Sequence, residues 1–312
     1  MAEHYVRDDV RAFLDYLASL NQPALYEVPL DQARQGARAM APMVDIEPRN
    51  LPVIEDLSCP GPAGDIPLRL YDPRSERTAG PVIVFYHGGG FVVGDLEIYH
   101  SLCTEIASET GLPVVSVDYR LAPEHPFPAA PDDCEAATRW LAGSPAHLGF
   151  PVTGLIPMGD SAGGNLTIVT TAALIAEPAA VPVVAQVPIY PIAGPIAHHE
   201  SFQAFGDGFF LTSQLMKWFT DAYAGDENDP RTYPLVNADH SRTPPTVILT
   251  AGLDPLRDSG REYAQHLIGQ GVDVTCLEAR GINHGFITMR RAIPSGQQDL
   301  KRVYRALAAM LA

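Results

Sequence analysis

The chain has few cysteines, and none of them falls in a pattern. Cys59, Cys103, Cys134 and Cys276 are scattered, with no C-x-x-C pair and no spacing suited to a metal ion, so we read them as reduced, semi-buried thiols. No apolar run approaches the length that spans a bilayer. The start, Met1 to Tyr5, carries mixed charges and neither an apolar leader core nor a small-residue cleavage site. Basic residues are in deficit, 21 Lys and Arg against 37 Asp and Glu, for a net charge of −16. That balance argues against nucleic acid or an anionic membrane as a partner. Repeats and low-complexity tracts are missing as well. A soluble, cytoplasmic protein is the expectation.

What is present is ordinary globular composition, 46% hydrophobic and 19% charged. A chain of 312 residues can bury a substantial core as one large domain or two smaller ones. Val6, Val10, Phe13, Leu14 and Leu17 recur at helical spacing over residues 3–20, and a second helix reads over 30–43. Two alternating strands between 53 and 71 flank Pro60-Gly61-Pro62-Ala63-Gly64, a hairpin loop by composition. From there apolar runs of strand length alternate with helical stretches. The strands are predicted at 81–86, 113–118, 155–158, 183–189, 246–251 and 272–277. The helices are predicted at 96–110, 130–142, 165–176, 258–269 and 299–311. Alternation of this kind gives a mostly parallel sheet with helices on both faces. Between 194 and 245 no strand is visible. An aromatic-rich run that includes Phe202, Phe205, Phe209, Phe210, Trp218, Phe219 and Tyr223 reads there as a helical insertion lying over the sheet.

One stretch organises the rest: Gly159-Asp160-Ser161-Ala162-Gly163, a G-x-S-x-G between a predicted strand and a predicted helix. The flanking glycines let backbone pass close on both sides, and Ser161 sits at the apex of the turn. A serine hydroxyl is a weak nucleophile until a base takes its proton, so a histidine and an orienting acid are required elsewhere. His87-Gly88-Gly89-Gly90-Phe91 follows the strand 82–86 and exposes backbone N–H groups where an oxyanion could develop. His87 reads as a structural prop for that loop. Acid and base should follow the serine in the order Asp or Glu, then His. Asp254 lies just past the strand 246–251, and His284 lies in the Gly-flanked loop Gly281 to Gly285. Asp258 opens the next helix and reads as its N-cap.

These stretches, with Asp118-Tyr119-Arg120-Leu121-Ala122-Pro123-Glu124 and Asp254-Pro255-Leu256-Arg257-Asp258, occur in an order that resembles the bacterial hormone-sensitive-lipase-like esterases, family IV of the lipolytic enzymes. The resemblance covers roughly residues 80–290 and departs nowhere from the core pattern. It implies the α/β-hydrolase fold: a mostly parallel eight-stranded sheet flanked by helices, with a helical cap. The cap would comprise residues 1–45 and 194–232, and the catalytic domain 46–193 and 233–312.

By resemblance, Ser161 is the nucleophile, His284 the base and Asp254 its orienter. The oxyanion hole would draw on Gly88, Gly89, Gly90 and Ala162, with the two contributing glycines left open. Phe91, Asp160, Tyr190, Phe202, Phe205, Phe209 and Leu211 are candidates for the substrate pocket. The loop from Asp118 to Glu124 reads as structural, with Pro123, Pro126 and Pro128 candidates for cis peptide bonds. The expected partner is a small ester of short to medium acyl chain, with neither metal nor organic cofactor. Two roles stay open for the strand 272–277, the seam of a homodimer or an edge covered within one chain. Amidase, lactonase and deacetylase chemistry on the same residues remain alternatives, as does a non-catalytic binding protein.

Overall fold

The structure, a computed structural model, describes residues 4–236 and 239–312. Residues 1–3 of the expected segment 1–45 and residues 237–238 of the expected segment 233–312 lie outside the described residues.

Two helices come first, α1 (Asp8–Ser19) and α2 (Leu30–Val44). In α1 the apolar stripe buries Val10 and Phe13, the side of the helix that the spacing marked. The antiparallel hairpin β1 (Val53–Gly61) and β2 (Gly64–Asp72) follows. Its turn is tighter than the sequence suggested. Gly61 pairs with Gly64, so only Pro62 and Ala63 lie outside the strands, and Gly64 takes φ +137°, which L side chains rarely adopt.

The remaining strands are β3 (Gly80–Tyr86), β4 (Val114–Val117), β5 (Val152–Asp160), β6 (Val187–Ile189), β7 (Thr246–Leu253) and β8 (Val274–Asn283). All eight form one sheet in the order β1-β2-β4-β3-β5-β6-β7-β8. From β4 to β8 every pairing is parallel, and the hairpin joins antiparallel through β2 and β4. Successive residues of β3 point to opposite faces. Ile83 and Phe85 enter a core with α3 (His100–Thr110) and α9 (Gln297–Leu311), while Val82, Val84 and Tyr86 enter another with α4 (Ala129–Ala142) and α5 (Ala162–Ala176). The helix α8 (Arg257–Gly269) packs Tyr263, Ala264 and Leu267 against Ile168 of α5 and Ile248 of β7. This is the doubly covered sheet of the α/β-hydrolase fold.

Two strands differ from their predicted spans. The run 183–189 pairs continuously only at Val187–Ile189, with single bridges at Val183 and Gln186. The strand predicted at 272–277 continues to Asn283 and absorbs the supposed loop glycine. Gly281, at φ +71°, lies in a register shift that moves the pairing from Ala251–Ala279 to Leu253–Asn283.

Helices α6 (Glu200–Phe205) and α7 (Ser213–Tyr223) fill the interval without strands. This segment meets the N-terminal one: Tyr26 Oη, between α1 and α2, donates to Gln214 Oε1 of α7 at 2.7 Å, and the ring of Phe13 of α1 lies 6.3 Å from that of Phe210, between α6 and α7. The Ala122–Pro123 and Phe127–Pro128 bonds are cis, two of the three candidates.

Candidate active site

Strand β5 ends at Asp160 and α5 begins at Ala162, which leaves Ser161 alone on the turn with φ 56° and ψ −116°. Such a backbone is unfavourable for a residue with a Cβ and persists only where its surroundings enforce it. Here a Cβ on Gly159 or on Gly163 would overlap the carbonyl oxygen of Tyr86, so the turn closes only with glycine on both sides. The Ser161 N–H donates to Ile189 O at 2.9 Å, which ties the apex to β6.

The register of β7 and β8 brings the acid to the histidine. Leu253 pairs with Asn283, so the next residues, Asp254 and His284, leave neighbouring strand ends together. His284 Nδ1 lies 2.7 Å from Asp254 Oδ2, and both side chains are buried. The other carboxylate oxygen, Oδ1, accepts the N–H of Leu256 at 2.8 Å, which fixes the acid's rotation. A carboxylate so held orients the ring and leaves the far nitrogen, Nε2, for proton transfer. Ser161 and His284 line one cavity; among the described residues no hydrogen bond joins their side chains. Asp258 is not an N-cap. The helix starts earlier, at Arg257, and Asp258 instead accepts the N–H of Ser201 at 2.9 Å and pairs with Arg257, clipping α6 to α8.

The glycine loop divides its N–H groups. Gly88 N–H donates to Asp160 Oδ1 at 2.8 Å and toward Tyr99 Oη at 3.0 Å, which removes Gly88 from the expected oxyanion donors. The N–H groups of Gly89, Gly90 and Ala162 meet no acceptor among the described residues. His87 supports the loop from behind, as its sequence position suggested. Its ring stacks on Tyr119 with centroids 4.2 Å apart, and its carbonyl accepts from Tyr119 Oη at 2.6 Å. Burial holds its imidazole pKa below the usual value.

A model of the α/β-hydrolase fold matches residues 83–288, a span that contains all of these groups. This chain belongs to the α/β-hydrolase family. Its motifs are those of the hormone-sensitive-lipase-like branch. Over 289 residues it is 35% identical to an ethyl acetate hydrolase of Pseudomonas putida, with 91% of each chain covered. A carboxylesterase of Mycobacterium tuberculosis, NlhH, is 38% identical over 253 residues, 79% of each chain. In structure the chain is similar to the ester hydrolase EH1AB1 from the metagenome of Lake Arreo, complexed with a bipyridine phosphonate derivative, at a TM-score of 0.91 and 34% identity. That match covers 98% of this chain and 99% of the other.

The cavity of this hydrolase has a volume of about 520 Å³. Its floor is Gly88 to Gly90, Ser161 and His284. Its apolar walls come from α2 (Met40, Val44) and from the insertion (Phe202, Phe210, Leu211, Phe219). Of the candidate pocket residues, Phe91, Asp160, Phe202 and Leu211 line it. Tyr190, Phe205 and Phe209 do not. Tyr190 lies against His284, its ring 4.4 Å away, and its hydroxyl donates to Asp160 Oδ2. Phe205 turns into the core, packed edge-on against Phe209 and His4 and beneath Arg257. Phe210 and Phe219 take the wall positions instead. The aromatic run signalled them as a group, but the short helices break its period, so spacing could not sort the wall from the core. No described helix is long and apolar enough to cross a membrane.

Proposed function

We propose that this α/β hydrolase is a serine carboxylesterase acting through an acyl-enzyme. The observation that carries the reading is the buried Asp254–His284 pair, set by strand register beside the same cavity as Ser161. Ser161 Oγ attacks the ester carbonyl as His284 Nε2 takes its proton, and Asp254 holds the imidazolium in place. The carbonyl oxygen becomes an oxyanion, held by N–H groups of Gly89, Gly90 and Ala162, each worth a few kcal/mol in such sites. His284 then protonates the leaving alkoxide, the alcohol departs, and Ser161 carries the acyl group. Water repeats the sequence, with His284 as its base, to release the acid and restore the serine.

Residues 1–45 and 194–232 form the cap in this reading, and 46–193 and 233–312 the catalytic domain. The apolar walls and a volume of about 520 Å³ support small esters of short to medium acyl length rather than triglycerides. Four free cysteines, three of them buried, support a reducing, cytoplasmic setting. A homodimer through β8 belongs to the same proposal, because β8 is an edge strand of the sheet. Light scattering on the purified protein tests that part, and a monomer at all concentrations removes it. Hydrolysis of p-nitrophenyl esters of graded acyl length tests the activity. Turnover that peaks at short to medium chains supports the assignment, and a folded protein inactive on all of them refutes it.

A further inference from the structure

Asp160 has 3% of its surface exposed and lies one residue before the nucleophile. Its Oδ1 accepts the Gly88 N–H at 2.8 Å, while Oδ2 accepts hydrogen bonds from Tyr99 Oη and Tyr190 Oη, each at 3.2 Å. The seat is tight: a Cβ on Gly88 would lie 2.6 Å from Asp160 Oδ2 and 2.8 Å from Tyr99 Oη. Filling this position with an apolar side chain would leave two buried hydroxyls without their acceptor and the Gly88 N–H with only the longer contact to Tyr99 Oη. One side chain therefore spans the two segments that must stay in register during the reaction, the oxyanion loop after β3 and the turn after β5.

We infer that Asp160 is a positioning residue: its carboxylate tethers the Gly88–Gly90 loop to the serine turn and so aims the Gly89 and Gly90 N–H groups at the ester oxygen. The inference rests on the esterase reading above. Oxyanion donors help a reaction only to the extent that they are already in place when charge develops. A loop of three glycines has little stiffness of its own, so its aim must come from an outside contact. Gly88, whose own N–H is taken, is the fixed point from which Gly89 and Gly90 are aimed. The titratable groups facing the carboxylate are Tyr99 just before α3, Cys103 of α3, Tyr119 after β4, Tyr190 after β6 and His284 after β8. Burial raises its pKa to about 6, against the opposing pull of His284 and the hydrogen bonds from Tyr99, Gly88 and Tyr190. Protonation makes the carboxyl a poorer acceptor, and its hold on Gly88 N–H slackens below that pH.

The test is the kinetics of p-nitrophenyl butyrate hydrolysis by wild type, Ser161→Ala, Asp160→Ala and Asp160→Asn, with folding checked by circular dichroism. Asp160→Ala is expected to lower kcat about 10²-fold with KM within about threefold. Asn still offers an oxygen to Gly88 N–H, so Asp160→Asn is expected to recover kcat to within about tenfold of wild type. Its amide does not titrate, so the acid limb of its rate profile should be shallower. An Ala variant with kcat within about threefold of wild type overturns the inference. So does an Asn variant as slow as the Ala variant. Should Asp160→Ala not fold, an Asn variant with a wild-type acid limb overturns it. Loss of activity in Ser161→Ala alone keeps the esterase reading standing in each of these cases.

Discussion

The ring of Tyr223 lies flat on that of Phe91, centroids 3.8 Å apart and planes 9° from parallel. Phe91 follows the glycine loop directly and holds φ +63°, so the last turn of α7 presses on the segment that carries the free N–H groups. The Tyr223 hydroxyl is buried without a partner among the described residues. Tyr223→Phe is therefore expected to change stability by less than about 1 kcal/mol, since it removes a group that gains nothing from burial. Tyr223→Ala opens a cavity against Phe91 and should cost about 3–5 kcal/mol in urea unfolding, with turnover reduced as well.

Arg290 is fully buried and holds three segments together. Its guanidinium donates to Asp45 Oδ1 and Oδ2 at 2.7 and 2.6 Å and to Ser101 Oγ at 2.8 Å, and it lies 3.0 Å from Glu105. Asp45 caps the end of α2, so this cluster anchors the N-terminal helices to α3. Arg290→Met leaves two carboxylates buried without their partner and is expected to cost about 3–5 kcal/mol. Arg290→Lys should also destabilise, because one ammonium cannot serve both sides of the fork. Urea midpoints at neutral pH check both.

Much of this was legible in the sequence, and the limits have physical causes. That Ser161, Asp254 and His284 stand at strand ends could be read because each follows a strand run whose apolar pattern is strong. His284 still follows the strand directly, although the strand ends later than predicted. A glycine usually ends a strand, but Gly281 sits in a bulge and lets β8 run on to Asn283. The commitment of Gly88 to Asp160 could not be read, because it joins residues 72 positions apart through one side-chain bond. Phe205 and Phe210 look alike in sequence. Only the turn between α6 and α7 decides that the first packs beneath Arg257 and the second faces the cavity.

The buried Asp160 also has a signature in stability. Its folded-state pKa is raised from 3.8 to about 6. The folded form therefore binds the proton more tightly than the unfolded chain does. Below pH 4 both states are protonated and the group contributes nothing. Between pH 4 and 6 its ionisation increasingly opposes folding, and above pH 6 the cost is complete, at about 3 kcal/mol. Wild type should thus lose stability relative to Asp160→Asn as pH rises from 4 to 6, and the gap should then stay level. Paired urea titrations at pH 4, 5, 6 and 8 measure it.

Phe219 bounds the cavity and lies directly over Gly90, where a Cβ would strike its ring. Phe219→Ala is expected to lengthen the preferred acyl chain, because it removes a wall close to the reacting carbon. Gly90→Ala should act in the opposite sense, displacing the ring, straining a backbone at φ +62° and lowering turnover on every ester. A p-nitrophenyl ester series from acetate to decanoate reads out both.

The most direct measurement is the steady-state hydrolysis of p-nitrophenyl butyrate by wild type and by Ser161→Ala, Asp254→Asn and His284→Ala, each confirmed folded. The expected result is turnover by wild type and losses of about 10³–10⁶-fold in kcat for the three variants, with KM little changed. A Ser161→Ala or His284→Ala protein that kept wild-type turnover would contradict the account, because the chemistry would then lie outside the site that β5, β7 and β8 assemble.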